Sequence, residues 1–444
     1  MLRLLQHRTF AALFAAQVVA LVGTGLLTVA LGLLAFDLAG AAAGAVLGTA
    51  FAIKMVAYVG IAPLAQAIAN RLPRKTVLVG ADIVRAAIAL GLPFVDAVWQ
   101  VYVLIFVLQA ASATFTPTFQ ATILDILPDE DDYTRALSLS RLAYDLESLL
   151  SPALAGVLLL VMGYHWLFIG TVIGFLASTL LVWRAALPAP SSSSGHHGFV
   201  DRLTRGTRIY LSTPRLRGVL ALSLAVASAG AFVLVNTVVL VKQTYGGSDT
   251  AVAIALAAFG GGSMAAALIL PSLLRSVNDR SVMLSAALVL AGILLAHGVW
   301  AWTGSPPAWG IVLLAWAVAG AMYSAVQTPT GRLLRRSAQT DDRAAVFAAQ
   351  FALSHACWLV TYPAAGWIGQ AFGLSAAMLA LGGLALGGTI AAVLSWPRED
   401  PAALDHDHPD LPPDHPHLRA HGGGRHHRHV FVIDDQHRHW PVRL

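Results

Sequence analysis

Residues 9–36 read TFAALFAAQVVALVGTGLLTVALGLLAF, a run of twenty-eight positions without a charge. A helix that crosses a bilayer needs roughly 20 mostly apolar residues. The run is longer than the roughly 7–15 residues of a signal-peptide core, and no clean cleavage site follows it. Arg3 and Arg8 therefore flank a retained helix. The same rule, carried along the chain, predicts twelve spans: 9–36, 44–69, 76–95, 98–123, 137–161, 164–187, 217–241, 250–274, 281–303, 307–330, 343–370 and 373–396. Composition agrees, with 57% hydrophobic residues, 11% charged residues and a mean hydropathy of +0.70. Soluble domains carry about 25% charged residues, so a water-soluble globule is excluded. A nucleic-acid binder is excluded too, because a formal charge of +5 is spread without a basic face. The single cysteine, Cys357, leaves no disulfide framework and no cysteine-based zinc module. The expected class is an all-α membrane protein, since backbone groups in hydrocarbon must satisfy one another.

Basic residues give the expected orientation. Nineteen of the 28 Lys and Arg lie at one set of alternate loops, and the opposite loops hold Lys242 alone. Short loops rich in Lys and Arg stay cytoplasmic, which predicts both termini inside and a multi-pass protein of the plasma (inner) membrane. The expected organisation is an N-terminal half at 1–187, a flexible cytoplasmic linker at 188–216 with Ser191–Ser194, a C-terminal half at 217–396 and a tail at 397–444.

The halves repeat. Thr116-Pro117-Thr118 closes span four and Thr328-Pro329-Thr330 closes span ten, 212 positions on. Asp131/Asp132 answer to Asp341/Asp342, Arg135 to Arg343 and Pro152 to Pro363, at offsets of 208 to 211. Four features in order at nearly one spacing indicate a duplicated six-helix unit.

The layout resembles the major facilitator superfamily, whose two six-helix halves surround a midplane site. Residues 63–75, PLAQAIANRLPRK, are similar to that superfamily's G-x-L-A-D-R-x-G-R-[RK] loop. Arg71, Arg74 and Lys75 match, while Gln66, Asn70 and Pro73 replace Gly, Asp and Gly. Asn70 can bond a helix end but brings no charge to the family's conformational lock. Ser151-Pro152-Ala153-Leu154-Ala155-Gly156 resembles a degraded G-P-x-x-G-G exporter motif. The resemblance covers residues 1–396 and implies alternating access about a site bordered by spans one, four, seven and ten. On that basis Gln109, Ser112, Thr114, Thr116, Asn236, Gln327 and Thr328 touch substrate; the alternative is that they cement helix contacts.

Charges inside the spans are costly and usually face a cavity or a partner. They are Lys54, Asp82, Arg85, Asp145 and Glu147, with Arg141 near an end. Asp82/Arg85 and Arg141/Asp145 are spaced to meet on one helix face, as neutralising pairs or as proton sites. Glu147 has no basic neighbour at helical spacing on its own span, which favours it as a titrating acid. On span eleven, His355 is either a metal or proton ligand or a helix–helix hydrogen-bond partner. Cys357, two residues on, points to another face.

Ten of the sixteen His lie beyond Pro397: His406, His408, His415, His417, His421, His426, His427, His429, His437 and His439. Pro409, Pro412, Pro413, Pro416 and Gly422–Gly424 argue for a disordered tail. Interspersed imidazole and carboxylate suit nickel, cobalt, copper(II) or zinc; the competing reading is a merely polar tail. With the body, this tail resembles the His-tailed nickel-resistance exporters of the superfamily, on the stretches His427–Asp435 and Ser354–Trp358. That resemblance implies export of nickel, sometimes with cobalt, by a monomer whose partners are lipid, protons and metal ions. Other branches export siderophores or macrolides, so an organic solute is the alternative cargo. No tightly bound cofactor, no nucleic acid and no enzymatic activity are expected. With no G-x-x-x-x-G-K-[ST] loop present, the expected energy source is proton antiport through Glu147 or Asp82.

Overall fold

The structure is a computed structural model that describes residues 2–58, 72–127, 129, 132–133, 136, 139–140, 143–144, 147, 151, 154–187, 199–304, 306–339, 342–401, 403–408, 412, 415–420, 425–434, 436–437 and 439–441. It is an all-α membrane fold with a small β-hairpin at its C-terminal end. The helices are α1 (Arg8–Ala39), α2 (Ala43–Val56), α3 (Arg74–Gly91), α4 (Val98–Ile126), α5 (His165–Arg184), α6 (Phe199–Ser212), α7 (Pro214–Val239), α8 (Asp249–Leu273), α9 (Asp279–Trp302), α10 (Trp309–Arg336), α11 (Arg343–Phe372) and α12 (Leu374–Ser395). Among the described residues, ten helical runs are long and apolar enough to cross a membrane. One of them, Arg8–Val56, joins the first two expected spans. The fifth, 137–161, lies largely outside the described residues.

Helix starts follow the side chains that can accept from free backbone donors. Ser248 caps α8 by accepting from Ala251 N at 3.2 Å, and Asn278 caps α9 by accepting from Ser281 N at 2.8 Å. Two helix ends differ from the sequence expectation. The repeated Thr-Pro-Thr does not close its helices: α4 continues to Ile126 and α10 to Arg336. A proline inside a helix frees the carbonyl four residues back, here that of Ala113 or Ala325, and packing against neighbouring helices lets a membrane helix continue; the hydroxyl after each proline bonds the next carbonyl along. Thr118 Oγ1 donates to Thr114 O at 2.8 Å, and Thr330 Oγ1 donates to Val326 O at 3.2 Å. The repeat is thus kept as the same hydroxyl-supported turn in both halves.

The linker is also more structured than expected. Residues 199–212 form α6, because Ile209 and Tyr210 are wholly buried against Val346 and Ala349 of α11. The rest of that segment, 188–198, lies outside the described residues.

In the N-terminal half α1 and α3 pack on α5, and α3 packs on α4. In the C-terminal half α8 packs on α10, while α7 and α9 pack on α12. Each half also ties its third and fourth helices at the face that carries the termini. Arg74 Nε meets Asp125 Oδ2 at 2.5 Å, and Asp279 pairs with Arg332. These are equivalent positions with the charges exchanged.

The halves meet at the far face, where α2 packs on α11 and α7. A Cβ on Gly48 would stand 2.5 Å from Tyr362 O, and one on Gly366 would run into Gly44 O. Only hydrogen at these positions lets the two backbones approach this closely. Trp367 Nε1 donates to Thr49 Oγ1 at 3.0 Å across the same seam, and Thr250 Oγ1 donates to Leu159 O at 3.3 Å. Among the described residues, these contacts join the halves at the far end. Gly366→Val should lower the thermal unfolding midpoint of the purified protein, with an overpacking cost of about 1–3 kcal/mol. Gly383→Val, where an added Cβ meets nothing within 4 Å, serves as the control and should change it little.

Candidate functional site

Two groups of polar side chains could act on a solute, one inside the membrane part and one on the tail. Within the N-terminal half, Asp82 and Arg85 form an ion pair one turn apart on α3. Asp82 is fully buried, and Ser178 Oγ of α5 donates to its Oδ2 at 2.6 Å. The Arg85 guanidinium lies between aromatic faces, 4.4 Å from the Phe115 centroid and 4.6 Å from that of Phe175. This pair is enclosed by its own half and neutralised there. Arg141 and Asp145 lie outside the described residues, as do Asn70 and Arg71. Lys75 Nζ donates to Trp183 O at 2.7 Å, tying the start of α3 to the end of α5.

Glu147 is placed differently. It sits against α1, where a Cβ added to Gly25 would stand 3.0 Å from its Oε1. Its cationic neighbour comes from another helix: Lys54 of α2 lies within electrostatic range. Lys54 Nζ is 5.9 Å from the Tyr58 ring, and that ring is 6.0 Å from the His355 ring of α11. Lys54, Tyr58, Glu147 and His355 thus form a half-buried group drawn from both halves. The sequence marked Lys54 only as an intramembrane charge and missed Tyr58. The signal for either was a contact between distant helices, which no local spacing encodes.

Asn236 and Cys357 lie apart from this group. Asn236 is buried, donates from Nδ2 to Ala365 O at 2.9 Å and faces Gly44. It cements α7 to α11 at the far-face seam. Cys357 is half-buried, with Sγ directed to Leu353 O at 3.5 Å. His355 stacks on Phe351 at 3.9 Å, so the two side chains engage different neighbours.

The tail is not the disordered segment expected. It folds into a hairpin of β1 (Ala403–Asp407) and β2 (His426–Val430), with the short helix α13 (Pro416–Ala420) between them. The strands pair antiparallel with His406 opposite His427 and Leu404 opposite His429. Side chains alternate along a strand, so the His-x-His spacings 406/408 and 427/429 place four imidazoles on one face. Prolines and glycines fall in the connections, where they do no harm to pairing. His417 of α13 closes over that face. One ring nitrogen from each of His406, His408, His417, His427 and His429 lies within 4.8 Å of every other. His417 Nε2 is 3.0 Å from His408 Nε2, 3.2 Å from His427 Nε2 and 3.3 Å from His429 Nε2.

Hydrogen bonds at the other ring nitrogen decide what these atoms offer. His406 Nδ1 donates to Leu404 O at 3.0 Å, and His429 Nδ1 donates to Val430 O at 2.8 Å. A carbonyl only accepts, so each Nε2 carries a lone pair. Several lone pairs aimed at one point repel unless a cation lies among them, and neutral imidazole suits a borderline divalent metal. Burial, then the neighbouring imidazoles, pushes His406 down to about 4 and His417 likewise to about 4, with His408 also lowered. His406, His408 and His417 are therefore neutral near pH 7. The other tail histidines stand outside the five. His426 pairs with Asp407 at 2.8 Å on the opposite face, His415 Nδ1 accepts from His417 N at 3.3 Å, His437 approaches His406, and His439 is exposed. His421 lies outside the described residues.

Residues 13–275 and 220–417 match the family model described as Major Facilitator Superfamily. The chain is 24% identical over 332 residues to the uncharacterized MFS-type transporter YfiS of Bacillus subtilis (strain 168), covering 72% of this chain and 78% of that protein. It is 25% identical over 184 residues to macrolide efflux protein A of Streptococcus pyogenes, covering 40% of this chain and 45% of that protein. Among solved structures it is similar in fold to the nucleoside transporter NupG, with a TM-score of 0.64, 13% identity, and coverage of 87% of this chain and 98% of that one. A bacterial homologue of the human lysosomal transporter Spinster, in an inward-facing and unoccupied conformation, gives a TM-score of 0.65 at 14% identity, covering 88% and 99%.

Asp82→Asn should strand the buried Arg85 guanidinium and lower stability by about 3–5 kcal/mol. Replacing the pair together, Asp82→Leu with Arg85→Met, should restore most of it in thermal unfolding. Acidification tests the hairpin. Imidazoles held near 4 when folded and near their ordinary 6.5 when unfolded take up protons on unfolding, so stability is full above pH 6.5 and falls toward pH 4. Protection factors across residues 403–430, taken relative to the intrinsic exchange rate at each pH, should accordingly fall between pH 7 and 4.5.

Proposed function

The chain belongs to the major facilitator superfamily, and on that premise we propose that it is a secondary active exporter of divalent transition-metal ions, nickel foremost and cobalt next. Its two halves rock about a midplane site. The basic loops put both termini in the cytoplasm of an inner-membrane protein, so the far face, where the halves are joined, is the outer one and the cargo enters from the terminal side. The protein works as a monomer in the bilayer, with no resident cofactor. Driving force comes from protons exchanged at Glu147. That carboxylate lies within electrostatic range of Lys54, which leads through Tyr58 to His355 in a group both halves contribute to. Asp82, enclosed with Arg85 and Ser178, is assigned to structure.

One observation carries the metal reading: five imidazoles from three separate elements converge on one point, with two of their tautomers set so that Nε2 faces inward. A folded site at the cytoplasmic entrance raises the ion's local concentration there, as tethering does. The second reading is export of an organic solute, favoured by the 25% match to macrolide efflux protein A. Under it, the tail would be dispensable.

Expressing cells should tolerate more nickel and cobalt than controls. Inverted vesicles with an imposed pH gradient should accumulate labelled nickel, and Glu147→Gln should remove gradient-driven flux. Truncation after Pro397 should raise the nickel concentration needed for half-maximal flux several-fold. Nickel flux that ignores the gradient would reject proton coupling, and absence of nickel and cobalt flux would reject the metal reading in favour of the organic one.

A further inference from the structure

The five-imidazole cluster has a sixth imidazole at its edge. His437 Nε2 lies 3.2 Å from His406 Nε2, and its ring centroid is 4.8 Å from that of His408 and 5.0 Å from those of His417 and His429. Two nitrogens bound about 2.1 Å from one ion are roughly 3.0 Å apart at a right angle and roughly 3.4 Å apart at the tetrahedral angle. The His437–His406 separation falls between these, as do the contacts at His417. His437 Nδ1 donates to Asp434 Oδ1 at 2.9 Å, so its Nε2 also presents a lone pair to the cluster. An imidazole held by a carboxylate behind it is the usual arrangement of a metal ligand.

Asp434 reaches further. Burial works against its charge, but the hydrogen bonds from the His437 side chain and backbone and from the Gln436 backbone hold its carboxyl below the usual range. Its Oδ1 accepts from Gln436 N at 2.8 Å and His437 N at 2.7 Å. Its Oδ2 accepts from Gln339 Nε2 at 2.7 Å, and Gln339 stands in the turn that follows α10. The hairpin is fastened to the same face by other contacts. Asp400 lies 3.6 Å from both Arg215 of α7 and Arg336 of α10, and Trp440 covers the Arg215 guanidinium at 5.2 Å. Phe431 and Ile433 are buried with Leu334 and Val346, the former at 4.8 Å from the His437 ring.

Resting on the metal reading above, we propose that His437 is a further ligand of the ion held by the five imidazoles, and that the link His437–Asp434–Gln339 makes metal occupancy latch the hairpin onto the C-terminal half. Two five-residue strands alone are marginal in water. Metal binding to such a unit contributes directly to its folding, so an occupied hairpin is an ordered one. The apolar surface it docks belongs to the ends of α7, α10 and α11, which must move apart from the other half on the terminal side during each cycle. Cytoplasmic metal thereby sets how firmly those ends are held.

The test uses the full chain in lipid nanodiscs and nickel chloride as probe, with affinity from chelator competition and docking from hydrogen exchange. Nickel should protect residues 403–437 together with residues 334–338 of α10 and the turn after it. His437→Ala should weaken nickel binding about 10-fold or more, and Asp434→Asn should do so by roughly 10-fold. Gln339→Ala should keep the affinity within a few-fold yet lose at least about half of the added protection at 334–338. Arg425→Ala, at an exposed side chain, should match the parent, and an unchanged melting temperature of the membrane part shows that each variant is folded. If the parent binds no nickel, the metal reading itself falls. If it binds nickel while His437→Ala binds equally well, or if protection stops at the hairpin, the latch is overturned and the metal module stands.

Discussion

In hydrocarbon a backbone carbonyl has no water to turn to, and every close approach between helices must be made without stranding one. The seam between the two halves depends on this. Gly44 and Gly48 of α2 and Gly366 of α11 lack side chains where the partner backbone passes, and Asn236 closes the gap beside them with a hydrogen bond to Ala365 O. Among the described residues the close backbone approaches between the halves lie at this end, and the proposed cycle keeps the halves joined there while the terminal-side ends separate. The charge-exchanged clamps, Arg74–Asp125 and Asp279–Arg332, keep each half rigid as that happens. Alternating access needs this combination of stiff bodies and a reversible seam.

The same absence of water sorts the buried charges. Asp82 has Arg85, Ser178 and two aromatic rings within its own half. Such a closed set is costly to break and has little left to offer a solute. Glu147 lies within electrostatic range of Lys54 in the same half, and Lys54 leads through Tyr58 to His355 of the other half. A group that side chains of both halves line is sensitive to how the halves sit, and this is the property a coupling site requires.

Outside the membrane the physics changes, and the hairpin shows it. Its apolar residues are few, yet Leu404, Phe431 and Ile433 are buried because the ends of the C-terminal helices and α6 supply the rest of a core. The imidazoles share the strand face of Leu404 and lie against Phe431, whose ring is 4.9 Å from that of His406. A segment this short takes its order from what it docks on and what it binds.

Membrane class, the all-α fold and the spans that fall on the described residues were legible in the chain, because each is a property of short windows: a length of apolar residues and a charge count. The tail's histidines were legible as a run of imidazoles but not in arrangement. Proline and glycine content argued for disorder, while the period-two spacing of 406/408 and 427/429 held the strand signal. Helix ends beyond Thr-Pro-Thr, and the helix within the linker, escaped for a related reason, since packing on neighbouring helices tolerates what local rules count as breaks. What only the tertiary structure decided is which groups come together: Lys54 near Glu147, Asn236 with Ala365, five imidazoles with one another. Such groupings depend on how separate helices and strands pack, and no local pattern in the sequence carries that information.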